Sequence, residues 1–110
     1  QVSDYTSPAR RILILWRIMW FFYVIRCSDN SLYAGITTDL KRRVHEHNHT
    51  KRGAKYTRGR RPVYLVAHER FKSKEEAMLN ERAFKKKTKP EKEAYCSDYD
   101  KYRGSSEKGG

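Results

Sequence analysis

The sequence predicts an α+β fold: a small, mostly antiparallel three-stranded sheet flanked by helices, in the order β-β-α-β-α-α. Three observations carry this. Apolar runs rich in β-branched and aromatic residues, at 20–26, 32–37 and 62–71, stand beside turn formers. Helix-capping residues open three of the stretches that follow them. A length of 110 residues allows one domain and excludes a two-domain enzyme or a barrel.

The first element emerges from Ile12 to Ile25, ILILWRIMWFFYVI, apolar except for Arg17. Arg10 and Arg11 before it imitate the start of a secretory signal. The run is about 14 residues long, short of the roughly 20 that a membrane span needs. Arg26-Cys27-Ser28-Asp29 after it supply no small-residue cleavage site. An intracellular chain with no membrane role is therefore expected. Trp20 to Arg26 reads as a buried strand. Residues 1–19 read as an N-terminal extension, an extra edge strand or a poorly docked arm. The folded domain is expected over 20–95 and a C-terminal tail over 96–110.

The turn formers Ser28-Asp29-Asn30-Ser31 separate this strand from Leu32–Thr37 and predict a β-hairpin. Thr38 or Asp39 caps a helix to about Asn48, with Leu40 and Val44 on its inner face. His49 to Arg61 reads as a loop. Pro62 to Phe71 reads as a third strand, with Val63, Leu65 and Ala67 on one face and Tyr64, Val66 and His68 on the other. Ser73 and Glu76 form a capping box for a second helix to about Lys87. Thr88 and Pro90 open a third helix. Gly104 to Gly110 is a Gly/Ser/Lys tail with no reason to order.

Lys and Arg number 25 against 13 Asp and Glu, a formal charge of +12, and only 37% of residues are hydrophobic. A thin core and a positive surface follow, and a polyanion is the natural partner, nucleic acid first. Cys27 and Cys96 lie far apart without metal-type spacing and read as free thiols.

Several residues have both a chemical and a structural reading. Tyr23 and Tyr33 are symmetric about position 28, so a hairpin with that register sets them face to face. They either act on water and phosphate or simply stack. Gly35 inside a strand points to a bulge or a close backbone approach. Arg43 and His47, four apart on one helix face, suit a phosphate and a proton, or else a solvated face. His45, His47 and His49 are spaced by two, so a helix does not let them converge on zinc. Glu81 falls within the arc of Ala77, Met78 and Phe84. A carboxylate there needs a partner: a magnesium ion, an arginine, or a lysine at the rim. Lys51, Arg52, Lys55, Arg58, Arg60 and Arg61 crowd one loop around Tyr56. Basic residues interleaved with an aromatic suit a phosphate backbone and a stacked base, or form a solvated charge run.

Taken together, Phe22-Tyr23-Val24, Tyr33-Ala34-Gly35, the stretch WFFYVIRCSDNSLYAGITTDLKRRVHEHN, the loop GAKYTRGRRP and the helix SKEEAMLNERAFKKKTKPEK resemble the GIY-YIG nuclease family. They resemble its small single-domain, YhbQ-like branch, over about residues 20 to 95. Phe22, Val24 and Ala34 depart from the literal signatures. The resemblance implies a DNA endonuclease dependent on a divalent cation, magnesium or manganese, with a role in DNA repair or recombination. It implies that Tyr23 activates water, with Tyr33 as the second signature tyrosine. It implies that Arg43 contacts the scissile phosphate, that His47 is the helix histidine, and that Glu81 binds the metal. Two rival readings are a catalytically inactive nucleic-acid-binding module of the same fold and a basic protein docked on a larger ribonucleoprotein.

Overall fold

The computed structural model describes residues 19–109. The extension, residue 19 apart, lies outside the described residues. Three strands, β1 (Trp20–Arg26), β2 (Leu32–Thr37) and β3 (Tyr64–Phe71), form one antiparallel sheet in the order β2-β1-β3. Four helices follow in chain order: α1 (Leu40–His49), the single turn α2 (Lys55–Arg58), α3 (Lys74–Lys85) and α4 (Lys89–Gly109). The α+β class and the antiparallel sheet are as the sequence predicts, and α2 is an addition inside the expected loop. No helix among the described residues is long and apolar enough to cross a membrane.

The caps are local and fall where expected. Asp39 accepts from the Arg42 amide to open α1. Ser73 accepts from the Glu76 amide to open α3. At α4, Thr88 accepts from the Glu91 amide while Glu91 accepts from the Thr88 amide, a complete capping box. That helix continues through the expected irregular tail to Gly109, since extending a nucleated helix adds one backbone bond per residue. Tyr95 and Cys96 of α4 lie in or against the core, and Arg26 reaches up from β1 to Glu93 with two bonds of 2.9 and 2.8 Å.

Two registers differ from expectation. The β1–β2 turn closes with Cys27 N donating to Ser31 O at 2.8 Å, leaving three residues in the loop. Asn30 takes the third place with φ 71°, in the left-handed region that asparagine tolerates. The centre of symmetry thus moves to position 29, and Tyr23 pairs with Gly35 while Tyr33 pairs with Ile25. The two tyrosines share a face two positions out of line. On β3 a bulge intervenes: Val24 pairs with Ala67 and Ile25 with Leu65, so Val66 is extra. Val63 and Leu65 therefore stay with Tyr23 and Ile25, whereas Val66 and Ala67 both pack with Phe22, Val24 and Phe84.

The sheet accordingly has two covered faces. Phe22, Val24, Ala34 and Ala67 meet Phe84 of α3 and Cys96 of α4. Tyr23, Ile25, Cys27 and Val63 meet Leu40 and Val44 of α1.

Candidate active site

Alternation along β1 turns Tyr23 toward α1, where its side chain is 1% exposed. The residue opposite must be Gly35. A Cβ there would lie 2.6 Å from Tyr23 Oη and 2.8 Å from Cζ. The expected close approach is thus a ring crossing over bare backbone, and it explains the glycine better than a bulge does.

His47 and Arg43, four apart on α1, both reach the Tyr23 oxygen. His47 Nε2 is 2.8 Å from Oη, and Arg43 Nε donates to Oη at 3.4 Å. His47 is fully buried, and its Nδ1 lies 3.0 Å from Thr57 Oγ1. Tyr33 places its ring edge-on to His47 at 5.6 Å and stacks on Tyr56 at 5.8 Å. Arg43, a quarter exposed, also donates to Glu46 and to the Arg52 carbonyl, each at 2.9 Å. It links the buried phenol to the basic loop.

Electrostatics follow from burial. Desolvation pushes the Tyr23 phenol up to about 12, against the pull of Arg43 and with added push from Tyr33 and Glu81. Desolvation, with the Arg43 charge behind it, pushes the His47 imidazole down to about 4. At neutral pH the pair is therefore a neutral phenol against a neutral imidazole. That arrangement suits a proton relay, in which the phenol gains one proton as it gives up another.

Glu81 stands on α3 with its side chain 19% exposed and its Oε2 2.9 Å from Lys85 Nζ. It is a rim carboxylate paired with lysine, one of the partners the sequence allowed, and its charge still bears on Tyr23. One hard, partly open carboxylate fits magnesium, which binds one or two carboxylates alongside substrate phosphates. Among the described residues no group of three or more His, Cys, Asp and Glu converges. His45 and His49 instead face each other at 4.8 Å, while His47 points inward to Tyr23.

The basic loop divides into two sets. Lys51, Arg52, Lys55 and Arg58 are exposed, and Tyr56 is 39% exposed. Arg60 and Arg61 build the loop itself. Arg60 donates to Asp29 and to the Tyr56 carbonyl, with its guanidinium 3.9 Å above the Tyr56 ring. Arg61 donates to the His47 and Thr50 carbonyls at the end of α1. Arg58 also donates to the Lys51 carbonyl at 2.9 Å.

Sequence reasoning missed Thr57 and gave Asn48 no role. Thr57 is fully buried and touches His47. Asn48 bonds both the amide and carbonyl of Val63, pinning α1 to the entry of β3. Asn48 beside His47 was visible; nothing local marked Thr57, because its role exists only once the loop folds back on α1.

Comparison with known proteins covers the same stretch of chain. The family profile described as the GIY-YIG catalytic domain matches residues 19–94. The UPF0213 protein YazA of Bacillus subtilis is 55% identical over 78 residues, 71% of this chain and 78% of that protein. The UPF0213 protein SAG0778 of Streptococcus agalactiae is 52% identical over 79 residues, covering 72% and 89% of the two chains. Among solved structures, the solution NMR structure of the protein EF2693 from E. faecalis superposes with a TM-score of 0.51 at 43% identity, covering 74% of this chain and 85% of that one.

Proposed function

The chain belongs to the GIY-YIG family, a family of nucleases, and on that premise we propose that it is a metal-dependent endonuclease hydrolysing phosphodiester bonds of DNA. The observation that carries the reading is the buried hydrogen bond of 2.8 Å between Tyr23 and His47, with Arg43 on the same phenol oxygen. Tyr23 takes a proton from the attacking water and passes its own to His47. Arg43, re-pairing from Glu46 and the Arg52 carbonyl, neutralises the phosphate as charge develops on it. Tyr33 holds the imidazole edge-on and joins it to Tyr56. Lys51, Arg52, Lys55 and Arg58 receive the flanking phosphates, and Tyr56 offers a face to a base. Glu81 would hold the divalent cation, magnesium or manganese, which when bound supplies positive charge at the phosphate and leaving oxygen.

The Lys85 ammonium on Glu81 is the observation that favours the inactive binding module instead. One experiment separates the two: nicking of linear and branched DNA with and without magnesium or manganese, by the wild type and Glu81→Gln. The nuclease reading expects metal-dependent cleavage that Glu81→Gln lowers by on the order of a hundredfold or more, with folding and DNA binding retained. Binding without cleavage of any DNA or RNA, in either metal, contradicts it.

A further inference from the structure

We propose that Thr57 is a positioning residue that holds His47 in the tautomer with its proton on Nδ1, leaving Nε2 bare to accept from Tyr23. The inference rests on the nuclease reading for its catalytic consequence, and on geometry for the tautomer itself.

Thr57 Oγ1 lies 2.9 Å from the Ala54 carbonyl and 3.0 Å from His47 Nδ1. A carbonyl oxygen has no proton, so the single hydroxyl hydrogen of Thr57 goes to Ala54. What Oγ1 then turns toward Nδ1 is a lone pair, which calls for Nδ1 as the donor. Nε2 is left without a proton and accepts from Tyr23 Oη at 2.8 Å, while the same oxygen accepts from Arg43 at 3.4 Å. Donors and acceptors match along the whole chain, from Arg43 through Tyr23, His47 and Thr57 to Ala54. The opposing contact is the Ala54 amide, which donates to Nδ1 at 3.3 Å. It favours the other tautomer and is longer than either contact of Thr57 Oγ1.

The tautomer decides what the pair can do. With Nε2 bare, a water O–H bond breaks as its proton passes to Tyr23 Oη, and the Tyr23 O–H bond breaks as its proton passes to Nε2. The electron pair left on the water oxygen forms the new P–O bond, and the P–O bond to the leaving sugar oxygen breaks. That oxygen takes a proton from solvent, and the imidazolium, donating at Nδ1 to Thr57, later returns one. With Nε2 protonated instead, Tyr23 has no acceptor for its proton.

Thr57→Val keeps the β-branched shape and removes the hydroxyl. The Ala54 amide is then the remaining partner of Nδ1, and the ring proton moves to Nε2. Thr57→Ser keeps the hydroxyl. Nitrogen-15 shifts of His47 in the full chain at neutral pH are expected to show Nδ1 protonated in the wild type and in Thr57→Ser, and Nε2 protonated in Thr57→Val. Cleavage by Thr57→Val is expected to lose about 10–100-fold in kcat, by analogy with removing the outer hydrogen-bond partner of a metal-ligating histidine. KM for DNA stays unchanged, and Thr57→Ser restores the rate. An active wild type with its proton on Nε2 overturns the assignment, as does a Thr57→Val that keeps the wild-type tautomer and kcat. If Thr57→Val does not fold, the wild-type and Thr57→Ser spectra still decide the tautomer. A wild type that cleaves nothing overturns the nuclease reading, and the catalytic role of Thr57 with it.

Discussion

Phe22 and Tyr23 are neighbours on β1 and leave the strand toward opposite faces, yet they enter cores of different kinds. Phe22 meets Phe84 at 5.4 Å and Tyr95 at 6.1 Å between ring centres, in a cluster with Val24, Ala67 and Cys96. Tyr23 meets His47, Arg43 and the bare backbone of Gly35, and His47 in turn meets Thr57. Both faces are covered by helices. The first stabilises by removing apolar surface from water. The second buries a phenol, an imidazole and a hydroxyl, which is tolerated because each is hydrogen-bonded. Among the described residues, no buried side-chain nitrogen or oxygen lacks a partner. A polar core gains little stability over an apolar one of the same shape, so stability alone does not account for it.

The comparison breaks most visibly on the apolar face. Phe84 is 3% exposed, and Phe84→Ala should destabilise by about 3–5 kcal/mol, the usual cost of emptying an aromatic core site. Denaturant unfolding measures this, and a loss below about 1 kcal/mol would remove that face as the main source of stability. On the polar face the order of effects reverses. Gly35→Ala puts a methyl 2.6 Å from Tyr23 Oη, so the ring must shift. Cleavage should fall by on the order of a hundredfold, as for a misplacement of about 1 Å, a larger relative effect on rate than on stability. Unchanged kinetics would show that the ring position does not matter.

The smallest effect sharpens the comparison through pH. An unfolded histidine titrates near 6.5, whereas buried His47 titrates at about 4. Between those values the unfolded chain binds the proton and the folded one does not, so stability falls as pH drops from about 6.5 to about 4. His47→Gln has no such group, and its thermal midpoint should fall less over the same window. Equal slopes for both proteins would mean that His47 is not held neutral by the fold.

What was legible beforehand was local. Asp39, Ser73 and Thr88 cap their helices through bonds to amides three residues on, and the apolar runs at 20–26 and 32–37 carry their own period. What was not legible depended on partners far along the chain. The pairing of Tyr23 hung on Asn30 accepting a left-handed backbone, which moved the hairpin centre by one position. The faces of Val63, Leu65 and Ala67 hung on a bulge imposed by β1. Arg60 and Arg61 look in sequence like their exposed neighbours, and only the folded loop turns them onto Asp29 and the end of α1. The site showed the same division: Tyr23, Arg43 and His47 come together, whereas Tyr33 meets His47 in a T-shaped ring contact and Glu81 leans on Lys85.

The most direct test compares the wild type with Tyr23→Phe, which removes one oxygen from the polar core and leaves the apolar face intact. In magnesium, the wild type should cleave DNA, and Tyr23→Phe should bind DNA equally well while cleaving it slower by on the order of a hundredfold or more, the low end of what general base catalysis contributes. Its folded structure should persist, because His47 Nε2 loses one partner while the ring remains packed. A Tyr23→Phe protein that cleaves as fast as the wild type would contradict the account: the buried phenol would then be structural, and the Tyr23–His47 pair would carry no proton.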